Sequence, residues 1–197
     1  MSEKEIGKDE MVSYLKIIDQ ELGKLDQKGE ILISGGASMC LVHDARQSTK
    51  DIDALYEPKN TINDIAAEIA EHNELGNDWI NDGVKGFLHP DMKKDVVLKY
   101  DNLTVNTVSA EAILAMKLIA LRDHTKDYDD AEFLIRKLDI NDPDEIMNVL
   151  EKNSYPQNLN MITKYKALDL LDQVNEKRER EQKNITKSQQ NNKDMER

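Results

Sequence analysis

Ile31-Leu32-Ile33-Ser34-Gly35-Gly36-Ala37-Ser38-Met39-Cys40-Leu41, followed past Arg46 by Ser48-Thr49-Lys50-Asp51-Ile52-Asp53-Ala54-Leu55-Tyr56, is the stretch around which the rest of the chain is organised. The apolar run Ile31-Leu32-Ile33 breaks at Ser34-Gly35-Gly36 and gives way to small and apolar residues, the pattern of a buried strand, a tight turn and a helix start. Glycines at that turn let the backbone approach a ligand with no Cβ in the way, and the free amides that follow favour an anion. After a short loop, Asp51 to Leu55 alternates as a strand does, so Asp51 and Asp53 are expected to share one face while Ile52 and Ala54 are buried behind them. Two adjacent carboxylates repel unless one is protonated or a cation lies between them. A hard divalent cation, Mg2+ or Mn2+, satisfies both and bridges carboxylate to phosphate. A phosphate cradle beside a metal-binding pair is the minimum equipment for phosphoryl or nucleotidyl transfer.

At 197 residues the chain has room for one good core and a helical appendage. No apolar segment approaches the ~18 residues needed to span a bilayer, and Met-Ser-Glu-Lys-Glu does not read as a signal peptide. The single Cys40 has no internal disulfide partner, which fits a reducing cytoplasm, and is expected as a small core residue. The net charge of -12 argues against a general nucleic-acid binder, which gathers cations against the phosphate backbone. Residues 176 to 197 carry +2, so residues 1 to 175 carry -14. An anionic substrate must therefore be handled by a metal and a few placed cations.

Outward from the opening stretch, residues 1 to 8 are polar and expected to fray, and Met11, Leu15, Ile18, Leu22 and Leu25 mark an amphipathic helix from Asp9 to about Asp26. Ile62, Ile65, Ala66, Ile69 and Ala70 mark a second helix. Trp79-Ile80 and Val84 to Leu88 read as short strand pieces, and Asp95 to Tyr100 with Leu103 to Val108 as a hairpin turned at Asp101-Asn102. Ser109 caps an apolar helix to about Arg122. Asp123 to Asp130 leads into another, with Ala131, Leu134, Ile135 and Leu138 on one face. Asp142-Pro143-Asp144-Glu145 starts a third, and a last helix runs from about Leu159 to Arg180. The expected architecture is α+β: a mixed sheet backed by helices, with a helical C-terminal half. The divisions are an N-terminal helix packed on the core (1–29), the core (30–108), a helical region (109–180) and a tail too polar to build a core, expected as disordered (181–197).

The stretch lacks the Gly-Lys-Ser/Thr of a P-loop and the third glycine of a dinucleotide fingerprint. Ile33-Ser34-Gly35-Gly36, fourteen intervening residues and Asp51-Ile52-Asp53 resemble instead the signature of the nucleotidyltransferase superfamily, the DNA polymerase beta-like fold. Lys117 to Arg122 with Lys126-Asp127-Tyr128-Asp129-Asp130 is similar to the Lys and Asp motifs of its toxin-like branch, which includes AbiE-type abortive-infection toxins and the MenT tRNA-modifying toxins. The resemblance covers about residues 30 to 138. It implies a nucleoside triphosphate with its phosphates on Ser34, Gly35 and Gly36, Mg2+ on Asp51 and Asp53, and attack of an acceptor hydroxyl on the α-phosphorus. Arg46, Ser48 and Thr49 precede the acidic strand and are candidates for holding triphosphate oxygens. Lys117 is a candidate for reaching the same phosphates, with Asp127 or Asp130 orienting it or supplying a further carboxylate. An RNA, protein or small-molecule acceptor and an antitoxin protein are the partners the resemblance leaves open.

The sequence departs from the superfamily pattern at Leu103 to Val108, where Asn106 stands in place of a third acid. Either the Lys and Asp motif takes over that role, or the chain is a non-catalytic nucleotide-binding or protein-interaction member. A small-molecule modifier of the antibiotic-adenylylating kind is a further alternative, suggested by the acidic body. Lys117 reads equally as a snorkelling lysine at the margin of a buried helix, and the Asp127, Asp129, Asp130 cluster partly as helix N-terminal acids. His43, His72, His89 and His124 lack metal-ligand spacing.

Overall fold

The computed structural model describes residues 4–88, 92–122 and 125–195. His89 and His124 lie outside the described residues. The elements run β1 (Ile6–Gly7), α1 (Lys8–Lys24), β2 (Gly29–Ile33), α2 (Gly35–Leu41), β3 (Ser48–Thr49), β4 (Ile52–Glu57), α3 (Lys59–Asn73) and β5 (Ile80–Asn81). A 3-10 turn at Gly83–Gly86 follows, then β6 (Lys94–Lys99), β7 (Leu103–Val108), α4 (Ala110–Ile119), α5 (Lys126–Lys137), α6 (Pro143–Lys152) and α7 (Met161–Met195).

The sheet is mixed, in the order β5-β4-β2-β7-β6. β2 is central, antiparallel to β4 and parallel to β7, so Ile33 stands beside Ala54 on one side and Thr107 on the other. β2 is therefore buried between neighbours, as its unbroken apolar run requires. On one sheet face Ile31, Ile33, Ile52, Ala54, Leu103 and Val105 join Leu15, Ile18 and Leu22 of α1 and Ile62 and Ile65 of α3 in a core. Tyr14 of α1 meets Trp79 edge to face at 5.3 Å, and the Trp79 indole donates to Ala66 O at 2.9 Å, which ties both helices to the edge beside β5. The opposite face contributes Leu32 and Val108 to a second core, built with α4, α5, α6 and the first half of α7. The fold is thus the α+β arrangement with a helical C-terminal half that the chain order implies.

α4 is apolar nearly all round because it is enclosed, with Ile113, Leu114, Ala115 and Leu118 fully buried. The Ser109 hydroxyl caps it, and Asp142 with Glu145 forms a capping box on α6. Among the described residues no helix is long and apolar enough to cross a membrane.

Three features differ from the sequence expectation. Ile6 is fully buried and β1 pairs with β3, Ile6 against Thr49, so the frayed segment ends earlier than residue 8. A lone apolar residue in a polar stretch has no periodicity to reveal it. Val84 to Leu88 is not a strand: residues 83–86 form a 3-10 turn, opened by the Asn81 side chain, which accepts from Gly83 N and lies where a Cβ on Gly83 would be. The last helix continues past Arg180 to Met195, with Arg180 to Glu176 and Lys183 to Glu179 ion pairs at four-residue spacing along it.

Candidate active site

The tip of β2 turns directly into α2, and the turn is made at Gly35, whose φ of 57° lies in the left-handed region. A Cβ there would come within 3.0 Å of Asp53 Oδ2, so the absent side chain is what lets the neighbouring carboxylate lie against the turn. At Gly36 an added Cβ would meet Thr49 Oγ1 at 2.6 Å and Arg46 Nη1 at 3.1 Å. Both glycines therefore mark close approaches, one to an acid and one to a cation and a hydroxyl.

Asp53 lies within β4, and Asp51 one residue ahead of it. Asn81, its register partner on β5, donates to Asp51 Oδ2 at 3.4 Å while its Oδ1 accepts from Gly83 N at 2.9 Å. Burial pushes the Asp53 carboxyl above the usual carboxylate range, and the Asp51 charge adds to the shift. Lys117 opposes it, as does the Asn81 hydrogen bond. A carboxylate held in this way is stabilised by any cation placed against it. The two oxygen-bearing side chains suit a hard divalent ion that completes its coordination with phosphate and water. Among the described residues no group of three or more His, Cys, Asp or Glu is arranged as a metal cage.

The helical half supplies a second set of charges. Lys117 is buried near the end of α4, and its Nζ lies 2.7 Å from Asp127 Oδ1 and 2.9 Å from Asp130 Oδ2. Both candidate carboxylates pair with it, so the ammonium ends in an ion network rather than at a solvent margin. Asp130 is itself held by Arg46, with Nε to Oδ1 at 2.7 Å and Nη2 to Oδ2 at 2.5 Å. This fork leaves Nη1 beside Gly36, without a hydrogen bond among the described residues.

Gly35, Asp53, Lys117 and Asp127 line one cleft of about 220 Å3, closed on its other side by Gly83, Val84, Phe87, Met116 and Ala120. Thr49 and Gly36 stand beside Arg46. Ser34 is buried beneath, its hydroxyl on Met116 Sδ at 3.2 Å. Ser48 is not brought there; its hydroxyl donates to Glu5. Arg46, Asp129 and Asp130 line a neighbouring depression with Ser48 and Lys126 rather than the cleft itself. Asn106 donates to Glu30 Oε1 at 2.8 Å and lines an open trough with Glu57, away from the cleft. Cys40 is buried and its thiol pushed up by burial, and His43 and His72 lie outside the cleft lining.

Sequence reasoning passed over Asn81, Val84, Phe87 and Met116. Asn81-Asp82-Gly83 carried a turn signal that pointed to the 3-10 segment. Met116, one residue from Lys117 on an apolar helix, carried none. Comparison with curated proteins and with solved structures finds no match. The family model described as "Nucleotidyltransferase of unknown function (DUF6036)" matches residues 13–175, a span that contains every residue of the cleft, and the chain belongs to that family.

Proposed function

We propose that the chain transfers a nucleoside monophosphate from a nucleoside triphosphate to an acceptor hydroxyl, with Asp51 and Asp53 holding Mg2+ or Mn2+. The observation that carries this reading is the convergence of Gly35, Asp53, Lys117 and Asp127 on one cleft from two separately built halves of the chain. When bound, the divalent ion supplies charge neutralisation on the transferring phosphate. Gly35 and Gly36 admit the phosphates against the backbone, with Arg46 Nη1 and Thr49 Oγ1 beside Gly36 as donors. Lys117 holds a phosphate oxygen from the helical side. The Asp127 carboxylate takes the proton of the acceptor hydroxyl as its oxygen bonds to the α-phosphorus, and the bond to the pyrophosphate oxygen breaks. A cytoplasmic setting, which holds the triphosphate, the ion and a reduced Cys40, belongs to the same reading.

Charge bears on the acceptor. The charged residues lining the cleft are Asp53, Asp127 and Lys117, with acids in excess, and residues 1 to 175 carry -14. This favours a neutral or cationic acceptor over a polynucleotide, with RNA retained because the toxin-like motif around Lys117 and Asp127 points to it. One observation favours a non-catalytic member instead: Lys117 and Arg46 are already paired with carboxylates.

The test is incubation of the protein with each labelled triphosphate and Mg2+, offering total RNA, protein or aminoglycosides as acceptor. Label transferred by the wild type and lost in Asp51→Asn supports the enzyme; no transfer to any acceptor leaves the non-catalytic reading. Growth arrest on expression, relieved by Asp51→Asn and by a co-expressed protein partner, would support the toxin and antitoxin reading. Unaffected growth would remove it.

A further inference from the structure

The N-terminal arm reaches over the depression beside the cleft. Glu5 precedes β1, and β1 runs antiparallel to β3 with Ile6 opposite Thr49 and Gly7 opposite Ser48. Ile6 and Thr49 are both buried, so strand alternation puts Glu5 on the other face, with Ser48 and Lys50. There each oxygen of the Glu5 carboxylate meets its own donor. The Ser48 hydroxyl donates to Oε2, and the Lys126 ammonium, 121 positions away, donates to Oε1 at 3.2 Å. These two hydrogen bonds, with the charges of Lys126 and Lys50 behind them, hold the carboxyl below the usual carboxylate range.

Ser48 and Lys126 line a depression of about 330 Å3 together with Arg46, Asp129, Asp130 and Phe133. Asp130 is already matched by Arg46 and Lys117, and Asp129 opposes an anion by its charge. The donors that an anion meets here are the Ser48 hydroxyl and the Lys126 ammonium, and Glu5 holds both. A hydroxyl and an ammonium that converge on one carboxylate suit a phosphate equally, which brings more oxygens and more charge. The arm releases them at little cost. Glu5 and Lys126 are 41% and 59% exposed, and pairs so open to water contribute little. Ile6 stays anchored in the core while the Glu5 side chain turns away.

We infer that Ser48 and Lys126 form a phosphate subsite outside the cleft, and that Glu5 is its built-in stopper, closing the subsite until a phosphate group displaces the carboxylate. Because Glu5 is tethered one residue from a buried anchor, it competes at a high local concentration, so only the fraction of molecules with the arm released binds the phosphate. The phosphate belongs either to a free phosphate ion or to the outer end of a nucleotide, and the subsite does not depend on nucleotidyl transfer.

Calorimetric titration of the full chain with inorganic pyrophosphate, without divalent ions, tests this. Glu5→Gln should bind about fivefold tighter than the wild type, the scale of one solvent-exposed ion pair. Adding Ser48→Ala or Lys126→Gln to Glu5→Gln should abolish the gain. Asp129→Asn makes the same change of charge at the same depression without freeing either donor, and should gain less than about twofold. Glu5→Gln binding as the wild type does overturns the inference. So does a gain in Asp129→Asn as large as that in Glu5→Gln, which would make the effect one of net charge, or a gain that survives loss of Ser48 and Lys126. No binding by any of these proteins overturns it as well. Repeating the titration with ATP and Mg2+ identifies the source: the gain reappears if the subsite takes the outer phosphate of a nucleotide and is absent if it takes the free ion. None of the substituted residues lines the cleft, so transfer activity survives failure of this inference. All of them lie outside the hydrophobic core, and an unchanged thermal midpoint verifies that the variants fold.

Discussion

On the strand side of the cleft two carboxylates, Asp51 and Asp53, stand together with an amide from Asn81 as their neighbour; on the helical side two carboxylates, Asp127 and Asp130, are matched by Lys117 and Arg46. The same residue type therefore does different things across one cleft. Asp53 is half-buried and its carboxyl is pushed up by burial and by Asp51, so ionising it is costly without a further cation, whereas fully matched charges hold geometry. On the proposed reading the strand side receives the ion, and the ion network holds Lys117 and Asp127 where they would meet the phosphate and the acceptor.

The sharpest way to break that comparison is Asp53→Asn. It removes half of the ion-binding pair without changing shape, so transfer should fall by about a thousandfold or more, the scale of several kcal/mol of lost charge stabilisation, while the fold survives. Residual activity near the wild-type rate would show that the strand side does not receive the ion. Next in size is Asp130→Ala, which leaves Arg46 and Lys117 without their shared buried anion. Denaturant unfolding should show a loss of about 3–5 kcal/mol. A loss below about 1 kcal/mol would mean the network is no frame.

A smaller effect is expected at Gly35→Ala, because a side chain at positive φ costs about 1–2 kcal/mol and its Cβ would crowd Asp53 Oδ2. Its distinguishing readout is the dependence of transfer on Mg2+ concentration, which should shift upward as the Asp53 carboxylate is displaced. The smallest concerns pH. With Asp53 raised in the folded state, folding binds its proton more tightly. The stability it contributes is present below the unfolded carboxylate range and lost as pH rises through the folded value. The thermal midpoint of the wild type should drift down across that window relative to Asp53→Asn, and Mg2+ should recover it above the window in the wild type alone. Parallel curves for the two proteins would mean the unmatched acid carries no cost.

How far the site could be read in advance differs between its halves for a physical reason. Gly35 opens α2 at the end of β2, Asp53 lies in β4 and Asp51 just ahead of that strand, joined by one short excursion, so the alternation of a strand and the needs of a turn place them together. Arg46 gave no such sign: its partner Asp130 is 84 positions away, and nothing local distinguishes an arginine that binds phosphate from one that binds a carboxylate. Lys117 was undecided because its helix is apolar on every side, and only the approach of α5 shows where the ammonium ends. Val84 to Leu88 misled for the opposite reason: a short apolar run looks like strand until Asn81 closes on Gly83.

By itself, then, the sequence determined the α+β order of elements, the glycine turn and the acidic strand, since each depends on periodicity or backbone freedom over a few residues. Only the tertiary structure decided that Asp127 and Asp130 both pair with Lys117, that Ser48 turns to Glu5, and that Phe87 and Met116 line the same cleft as Asp53, Lys117 and Asp127. Those outcomes depend on which helices close over the sheet edge, and burial and pairing of charge are properties of that closure rather than of any one segment.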